Sequence, residues 1–186
     1  MKLTIDVENT VTKRDGKKHL DPFEPDNSLT MVGMLSDQGV ERIITFDHSE
    51  VQADDFGHTV VQEWLDKSTV LIMHNAAYDL LWLWESGFKY DGPVFLEACA
   101  ERYELDTKKQ DTLKEYFKQG YSTRDIPHAE LSEYLSADLH ATQQLSDKLM
   151  YRLNTLADAM LMPTVTLSNE VAVCLARIYQ RGFKVD

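Results

Sequence analysis

Two acidic residues separated by one position stand near the end of the first predicted strand. Residues 2–8 (Lys-Leu-Thr-Ile-Asp-Val-Glu) alternate between polar and apolar side chains, which is typical of a β-strand with one buried face. Side chains at i and i+2 share a face, so Asp6 and Glu8 project together, away from Ile5 and Val7. Two adjacent carboxylates repel each other unless a cation or a proton offsets their charge. The pair is therefore a candidate metal site, and a solvated strand end is the alternative.

A third acid follows a short apolar run. Residues 70–73 (Val-Leu-Ile-Met) predict a buried strand, and His-Asn-Ala-Ala-Tyr-Asp occupies positions 74–79 directly after it. Asn75 suits the N-cap of the next helix, which places Asp79 in its first turn. A carboxylate there interacts favourably with the helix dipole, so a purely structural role and a ligand role are both open.

A tyrosine and a fourth acid share one face of a long predicted helix, at about 128–156. Tyr134 and Asp138 are four positions apart, so the phenol and the carboxylate project together. The alternative is a tyrosine at the edge of the core and an aspartate on the surface. His128 and His140 face away from Asp138 on this helix, and we interpret both as structural.

The three segments occur in a characteristic order. With Asp-x-Glu, His-Asn-x-x-Tyr-Asp and Tyr-x-x-x-Asp, the sequence resembles the DEDDy class of 3′→5′ exonucleases, named for four acids and a tyrosine. Residues 3–11, 74–84 and 131–138 resemble the proofreading domain of family A DNA polymerases from short-tailed phages. The resemblance covers nearly the whole chain and implies a ribonuclease H-like (DnaQ-like) exonuclease fold.

This resemblance implies a role for each motif residue. Two divalent ions, Mg²⁺ or Mn²⁺, would lie about 4 Å apart and hydrolyse a phosphodiester. Asp6 would bridge both ions, while Glu8 and Asp138 would hold the ion that activates water. Asp79 would serve the second ion, and Tyr134 would orient the water, because a phenol with a pKa near 10 is a poor base. Three further residues would position the terminal nucleotide: Asn9, Thr10 and Asn75.

The implied substrate is a single-stranded or frayed 3′ end of DNA, handled during proofreading in phage DNA replication. Basic residues could contact its backbone or simply form solvated faces: Lys13, Arg14, Lys17, Lys18, Lys108, Lys109 and Arg124. Two alternatives remain open. One is an RNA 3′-end exonuclease of the same fold, and the other is a catalytically impaired DNA-binding or docking module.

The C-terminal part of the sequence suggests a junction. We expect residues 1–158 to form the exonuclease domain and residues 159–186 a C-terminal helix leading to a polymerase domain that the sequence lacks, as in a truncated, split or free-standing exonuclease. An apolar stripe on this helix predicts association with a polymerase domain in cis or trans, or self-association. Its residues are Leu167, Val171, Cys174, Leu175 and Ile178. Relatives usually carry an extra stretch near the equivalent of Phe95, which is missing here.

Composition sets the outer limits. The 186 residues carry a net charge of −12, which argues against a nucleic-acid binder unless metal ions supply positive charge. No apolar run approaches the ~20 residues of a membrane helix, so we expect no membrane and a cytoplasmic location, in the infected host if the protein is phage-encoded. Strand patterns at 29–35 and 41–47 follow a loop or loose hairpin at 9–28. Helical patterns cover 56–67, 76–87, 96–104, 107–119, 128–156 and 164–181. Together they predict an α/β fold with a mixed central sheet flanked by helices.

Overall fold

The structure, a computed structural model, describes residues 1–96, 110–155 and 159–182. Its strands are β1 (Lys2–Asn9), β2 (Thr12–Arg14), β3 (Lys17–His19), β4 (Leu29–Ser36), β5 (Glu41–Thr45), β6 (Val70–Met73) and β7 (Val94–Leu96). Its helices are α1 (Gly57–Lys67), α2 (Ala76–Glu85), α3 (Gln110–Lys118), α4 (His128–Leu153) and α5 (Met162–Arg181). No helix of these described residues combines the length and apolar composition needed to cross a membrane.

One mixed sheet organises the molecule, with strand order β5-β4-β1-β6-β7. Strand β1 pairs antiparallel with β4 and parallel with β6, so it lies at the centre of the sheet. Strands β2 and β3 form a separate small hairpin. Because β1 and β6 are parallel, their carboxyl ends lie at the same edge, which is where α/β sheets commonly bind ligands.

The two faces of the sheet carry different cores. Leu3, Ile5 and Val7 of β1 belong to a large apolar cluster that also includes buried residues of α1, α2 and α5. On the other side, Met31 of β4 packs with Leu131 of α4 and other apolar side chains. The odd-numbered residues of β1 therefore face the main core, and the even-numbered ones face α4.

The structure corrects one predicted element. Residues 94–96 form strand β7, whereas the helix predicted at 96–104 would have begun there, and residues 97–104 lie outside the described range. The edge of β6 explains the difference, because Leu71 pairs with Val94 and Met73 with Leu96. Strand pairing of this kind depends on tertiary context more than on local propensity.

Other boundaries shift by a few residues. Helix α4 ends at Leu153, before the predicted 156, and α5 begins at Met162, before the predicted 164. The described part of the helix predicted at 107–119 is α3. The region 9–28 contains the β2–β3 hairpin, in agreement with the predicted loose hairpin.

Candidate active site

The pair on β1 lies on the face that α4 covers. Asp6 and Glu8 are half-buried, whereas Ile5 and Val7 are buried in the opposite core. The backbone N–H of Val7 donates a hydrogen bond to Asp6 Oδ1 at 3.0 Å. The alternation in the sequence therefore predicted the orientation of both acids.

Close approach of α4 to the sheet depends on a glycine. Gly33 of β4 lies directly opposite Asp6 in the antiparallel register. A Cβ atom at Gly33 would lie 2.8 Å from Leu135 Cγ and 2.8 Å from Leu139 Cδ1, both on α4. Only a residue without a side chain admits the helix at this distance. Since α4 also carries Asp138, this contact brings that carboxylate towards Asp6 and Glu8 on β1.

Asp79 is held in the first turn of α2. Asp79 is only 3% exposed, and its Oδ2 atom has no hydrogen-bond partner among the described residues. A buried carboxylate oxygen without a partner is costly, because burial removes water and nothing replaces it. A cation bound at this atom would offset that cost.

The acids of the site perturb one another. Burial, and after it the charge of Asp138, raises the pKa of Asp6 from 3.8 to about 7. Burial is also the first cause of the pKa of Glu8 lying well above its usual range, followed by the charges of Asp6 and Asp138. For Asp79, burial and then Asp6 raise the pKa in the same direction. The four carboxylates thus form one electrostatic cluster, drawn from β1, α2 and α4.

Tyr134 joins this cluster through Asp138. Burial and then the charge of Asp138 raise the pKa of the Tyr134 phenol far above its usual value. Burial raises the pKa of Asp138 as well, while the Tyr134 hydrogen bond and His74 oppose that shift. Tyr134 is therefore a protonated donor at neutral pH.

The donor set fits a hard divalent cation. Carboxylate oxygens are the ligands that Mg²⁺ prefers, and Mg²⁺ keeps several waters rather than requiring a complete protein cage. Within the described residues, no three acidic, histidine or cysteine side chains already converge as a ready metal cage. The acids can therefore perturb one another's pKa without forming a ready cage, because charges interact over several ångströms whereas metal ligation requires about 2 Å. The side chains would turn inward when an ion offsets their repulsion.

The three predicted nucleotide-positioning residues have different surroundings. Asn9 is buried, and its side chain accepts a hydrogen bond from the Tyr78 hydroxyl at 2.6 Å and donates one to the Thr10 carbonyl at 2.7 Å. Thr10 is buried as well, and its hydroxyl accepts a bond from the Ser28 N–H at 2.7 Å. Asn75 is exposed at the N-cap of α2, where its side chain makes no capping bond. Their contact with a nucleotide stays a prediction.

The two histidines of α4 have structural partners. His128 Nε2 lies 3.0 Å from the Thr45 hydroxyl, and its ring packs edge-on against His48. His140 Nε2 lies 2.8 Å from a carboxylate oxygen of Glu41. These contacts join α4 to the β4–β5 side of the sheet and agree with the structural interpretation.

A cavity of about 400 Å³ adjoins the carboxylates. We call it the side pocket, and its lining includes Glu8, Asn9, Lys13, Lys18, Tyr78 and Tyr121. From the sequence, the lysines are only general candidates for backbone contacts, Tyr78 appears only within the His-Asn-x-x-Tyr-Asp motif, and Tyr121 is not singled out. Nothing in the sequence indicates that Tyr78 and Tyr121 line one pocket, because tertiary packing brings their segments to it.

Comparison with known proteins supports the fold. No protein-family model and no curated protein matches the chain. Among solved structures, Brucella melitensis NrnC with bound Mg²⁺ matches with a TM-score of 0.62 and 20% identity, over 100% of this chain and 88% of that chain. The fold is ribonuclease H-like. A second structure of Brucella melitensis NrnC matches at a TM-score of 0.61 and 18% identity, over 100% of this chain and 88% of that one.

A third structure, described as the apo form of the nuclease, has a TM-score of 0.60 and 22% identity, with 99% of this chain and 87% of that chain covered. These likenesses confirm the predicted fold class, a mixed central sheet flanked by helices. The matching structures are those of nucleases, so they support the fold and do not specifically support a polymerase proofreading domain.

Proposed function

We propose that this chain is a metal-dependent exonuclease that removes nucleotides from single-stranded or frayed DNA in the 3′→5′ direction. One observation carries the proposal. Burial, and after it repulsion by neighbouring carboxylates, raises the pKa of Asp6, Glu8 and Asp79, and the Oδ2 atom of Asp79 is buried without a hydrogen-bond partner among the described residues. A cluster with this cost and no apolar packing benefit is typical of a functional site.

The chemistry divides between ions and side chains. Bound divalent ions would supply an activated water and stabilise the leaving 3′-oxygen. Asp6 and Glu8 would hold ions from the strand, and Asp79 and Asp138 from the two helices. Tyr134, one helical turn before Asp138, would orient the attacking water, since its raised pKa excludes it as a base at neutral pH.

We further propose a role in proofreading, which rests on the sequence resemblance alone. A polymerase module would need a docking surface, and α5 offers exposed apolar side chains. Leu167 is 60% exposed and Val171 47%, while Ala172 and Ala176 of the same helix are buried. Association of a polymerase module, or of a second copy, with this stripe agrees with that exposure.

Two rival functions lead to different results. An RNA exonuclease of this fold would use the same site, so only substrate preference separates it from a DNA exonuclease. A catalytically impaired docking module would bind DNA without releasing nucleotides. The retention of all four acids and Tyr134 in one cluster favours an active enzyme.

The test is nucleotide release from matched oligonucleotides. DNA and RNA strands of the same sequence, labelled at the 5′ end, would be incubated with the purified chain and Mg²⁺ or Mn²⁺. We expect a ladder that shortens from the 3′ end on single-stranded DNA, lost in excess chelator and in Asp6→Ala. Activity that persists in chelator, or that survives in Asp6→Ala, contradicts the proposal. Shortening of RNA alone assigns the RNA alternative.

A further inference from the structure

The β2–β3 hairpin is fixed against the helix that carries Asp79. The Leu20 carbonyl, just after β3, accepts hydrogen bonds from the Tyr78 hydroxyl and the Trp82 indole N–H, both at 3.1 Å. Asn27 holds the other side, accepting from the Thr12 N–H at 2.8 Å and donating to the His19 carbonyl at 3.0 Å. These hydrogen bonds fix the hairpin in place, so it forms a defined side of the side pocket.

Two lysines of this hairpin face the pocket together. Lys13 and Lys18 are directly opposite each other in the antiparallel register, and both line the side pocket. Like charges opposite one another destabilise a strand pair. Within the described residues neither lysine forms an ion pair. An anion between them would remove the repulsion.

The other face of the hairpin provides the contrast. Arg14 and Lys17 are also opposite each other, but Arg14 forms an ion pair with the buried Glu24 at 2.5 Å. The positive charge on that face is thus offset within the protein itself. Only the pocket face leaves a pair of like charges without a counter-charge in the described part of the chain.

Another part of the pocket lining is aromatic. Phe117, at the end of α3, and Tyr121, just after it, line the pocket and are 36% and 45% exposed. The Tyr121 ring is supported edge-on by Tyr116, with centroids 5.4 Å apart. Exposed, supported rings of this kind are platforms on which unpaired bases stack without sequence preference.

We propose that the side pocket binds one unpaired nucleotide of the substrate strand, with its base against Phe117 and Tyr121 and a backbone phosphate between Lys13 and Lys18. This inference rests on the proposed function, because Glu8, which lines the pocket, belongs to the carboxylate cluster. Its volume of about 400 Å³ lies in the range of small-molecule pockets, about 300–1,000 Å³. A base held there cannot be paired, so the pocket selects single strands and reads no sequence.

The test is equilibrium binding of fluorescein-labelled single-stranded oligonucleotides to the full chain, measured by anisotropy with Ca²⁺ in place of Mg²⁺. We expect Lys18→Gln to weaken binding and to reduce the slope of log affinity against log salt by about 0.7, the value for one lost phosphate contact on a single strand. Lys17→Gln removes the same charge from the opposite face of the same hairpin and should change neither quantity. Equal effects of the two substitutions overturn the phosphate assignment.

The aromatic wall has its own matched pair. Tyr121→Leu should weaken binding by roughly 5- to 100-fold, the loss expected for one stacked base. Tyr151→Leu changes a tyrosine that is 74% exposed on α4, outside the pocket, and should leave affinity unchanged. Thermal midpoints of each variant show whether it folds. If Tyr121→Leu folds and binds like the parent chain, the stacking assignment is wrong.

A third binding experiment distinguishes a phosphate within the strand from a terminal 5′ phosphate. Oligonucleotides with and without a 5′ phosphate should bind alike if the lysines hold a phosphate within the strand, whereas dependence on the 5′ phosphate overturns that choice. Binding does not require hydrolysis, so the two proposals can fail separately. Lysine-dependent binding without any nucleotide release would contradict the exonuclease proposal and leave the pocket standing.

Discussion

The two faces of strand β1 differ sharply in what they contribute to stability. On one face Leu3, Ile5 and Val7 are buried in the main apolar core. Burial of such side chains contributes about 1.5–3 kcal/mol each to folding. On the other face Asp6 and Glu8 lie among further acids, and burial together with mutual repulsion raises the pKa of both.

This difference shows where the chain gives up stability. A strand built only for packing would carry apolar or neutral residues on the α4 face too. Placing carboxylates there lowers the stability of the metal-free fold, and a cost of this kind is typical of a functional site. Substitutions on the two faces should therefore have opposite effects, which can be measured.

The largest effect is expected at Asp6. Asp6→Asn removes a charge that, after burial, raises the pKa of both Glu8 and Asp79. Nucleotide release should therefore fall by more than about 100-fold, which exceeds the loss typical when a residue that only supports a metal ligand is changed. The same change should raise the thermal midpoint of the metal-free protein, since it relieves repulsion. Asp55→Asn, at an exposed position, is the control for both measurements. A stable but fully active Asp6→Asn variant would show that nucleotide release does not depend on the carboxylates of this face.

Next in size is Tyr134. Because the protonated phenol would orient the attacking water, Tyr134→Phe should slow the single-turnover rate by about 10- to 1,000-fold. Metal affinity should stay close to that of the parent chain. Tyr151→Phe, on the same helix, should change neither. An unchanged rate with Phe at position 134 would indicate that the ring serves packing alone.

Gly33 tests the contact that holds the acids together. A methyl group there meets Leu135 and Leu139 at 2.8 Å, so Gly33→Ala should displace α4 and Asp138 from β1. We expect a loss of about 1–3 kcal/mol in the free energy of unfolding, typical of overpacking, and a rate about 10-fold lower. Ile5→Val, on the apolar face, should cost about 0.5–1.5 kcal/mol with no change in rate. Loss of activity in both variants to the same degree would erase the distinction between the faces.

The smallest effect is a pH dependence of a few degrees. The pKa of Asp6 in the folded protein, about 7, lies above its ordinary value of 3.8, so the folded state binds protons that the unfolded state releases. The resulting stabilisation is complete below about pH 4 and is lost as the pH rises through 7. The metal-free protein should therefore melt several degrees higher at pH 5 than at pH 8, given about 2–4 °C per kcal/mol at this length.

Mg²⁺ should raise the midpoint at pH 8 more than at pH 5, because protons compete with the ion at low pH. In Asp6→Asn the dependence on pH should be shallower. A metal-free midpoint that rises from pH 5 to pH 8 would have the wrong sign for acids whose pKa is raised by burial.

Patterns with a fixed period were readable from the sequence. The alternation of residues 2–8 gave the face of Asp6 and Glu8, and the i, i+4 spacing gave the meeting of Tyr134 with Asp138. The run at 70–73 is strand β6. Each of these depends on local geometry alone, which explains why the elements carrying the acids could be assigned.

Features that depend on contacts between distant segments were missed. Strand β7 exists because the edge of β6 pairs with it, and no periodicity is visible in three residues. Gly33 matters only because α4 lies above it. The side pocket joins the hairpin to Tyr121, more than a hundred residues further along the chain. The candidate residues are visible in the sequence, whereas the shape of the side pocket comes from packing.

The most direct test of the carboxylate face is a titration of Mn²⁺ into the purified chain, with free Mn²⁺ measured by electron paramagnetic resonance. The account predicts saturable binding at pH 7.5 that is lost or strongly weakened in Asp6→Asn and retained in Asp55→Asn. Binding that is absent in the parent chain, or that is equal in all three proteins, would contradict the claim that this face of β1 is built to hold divalent cations.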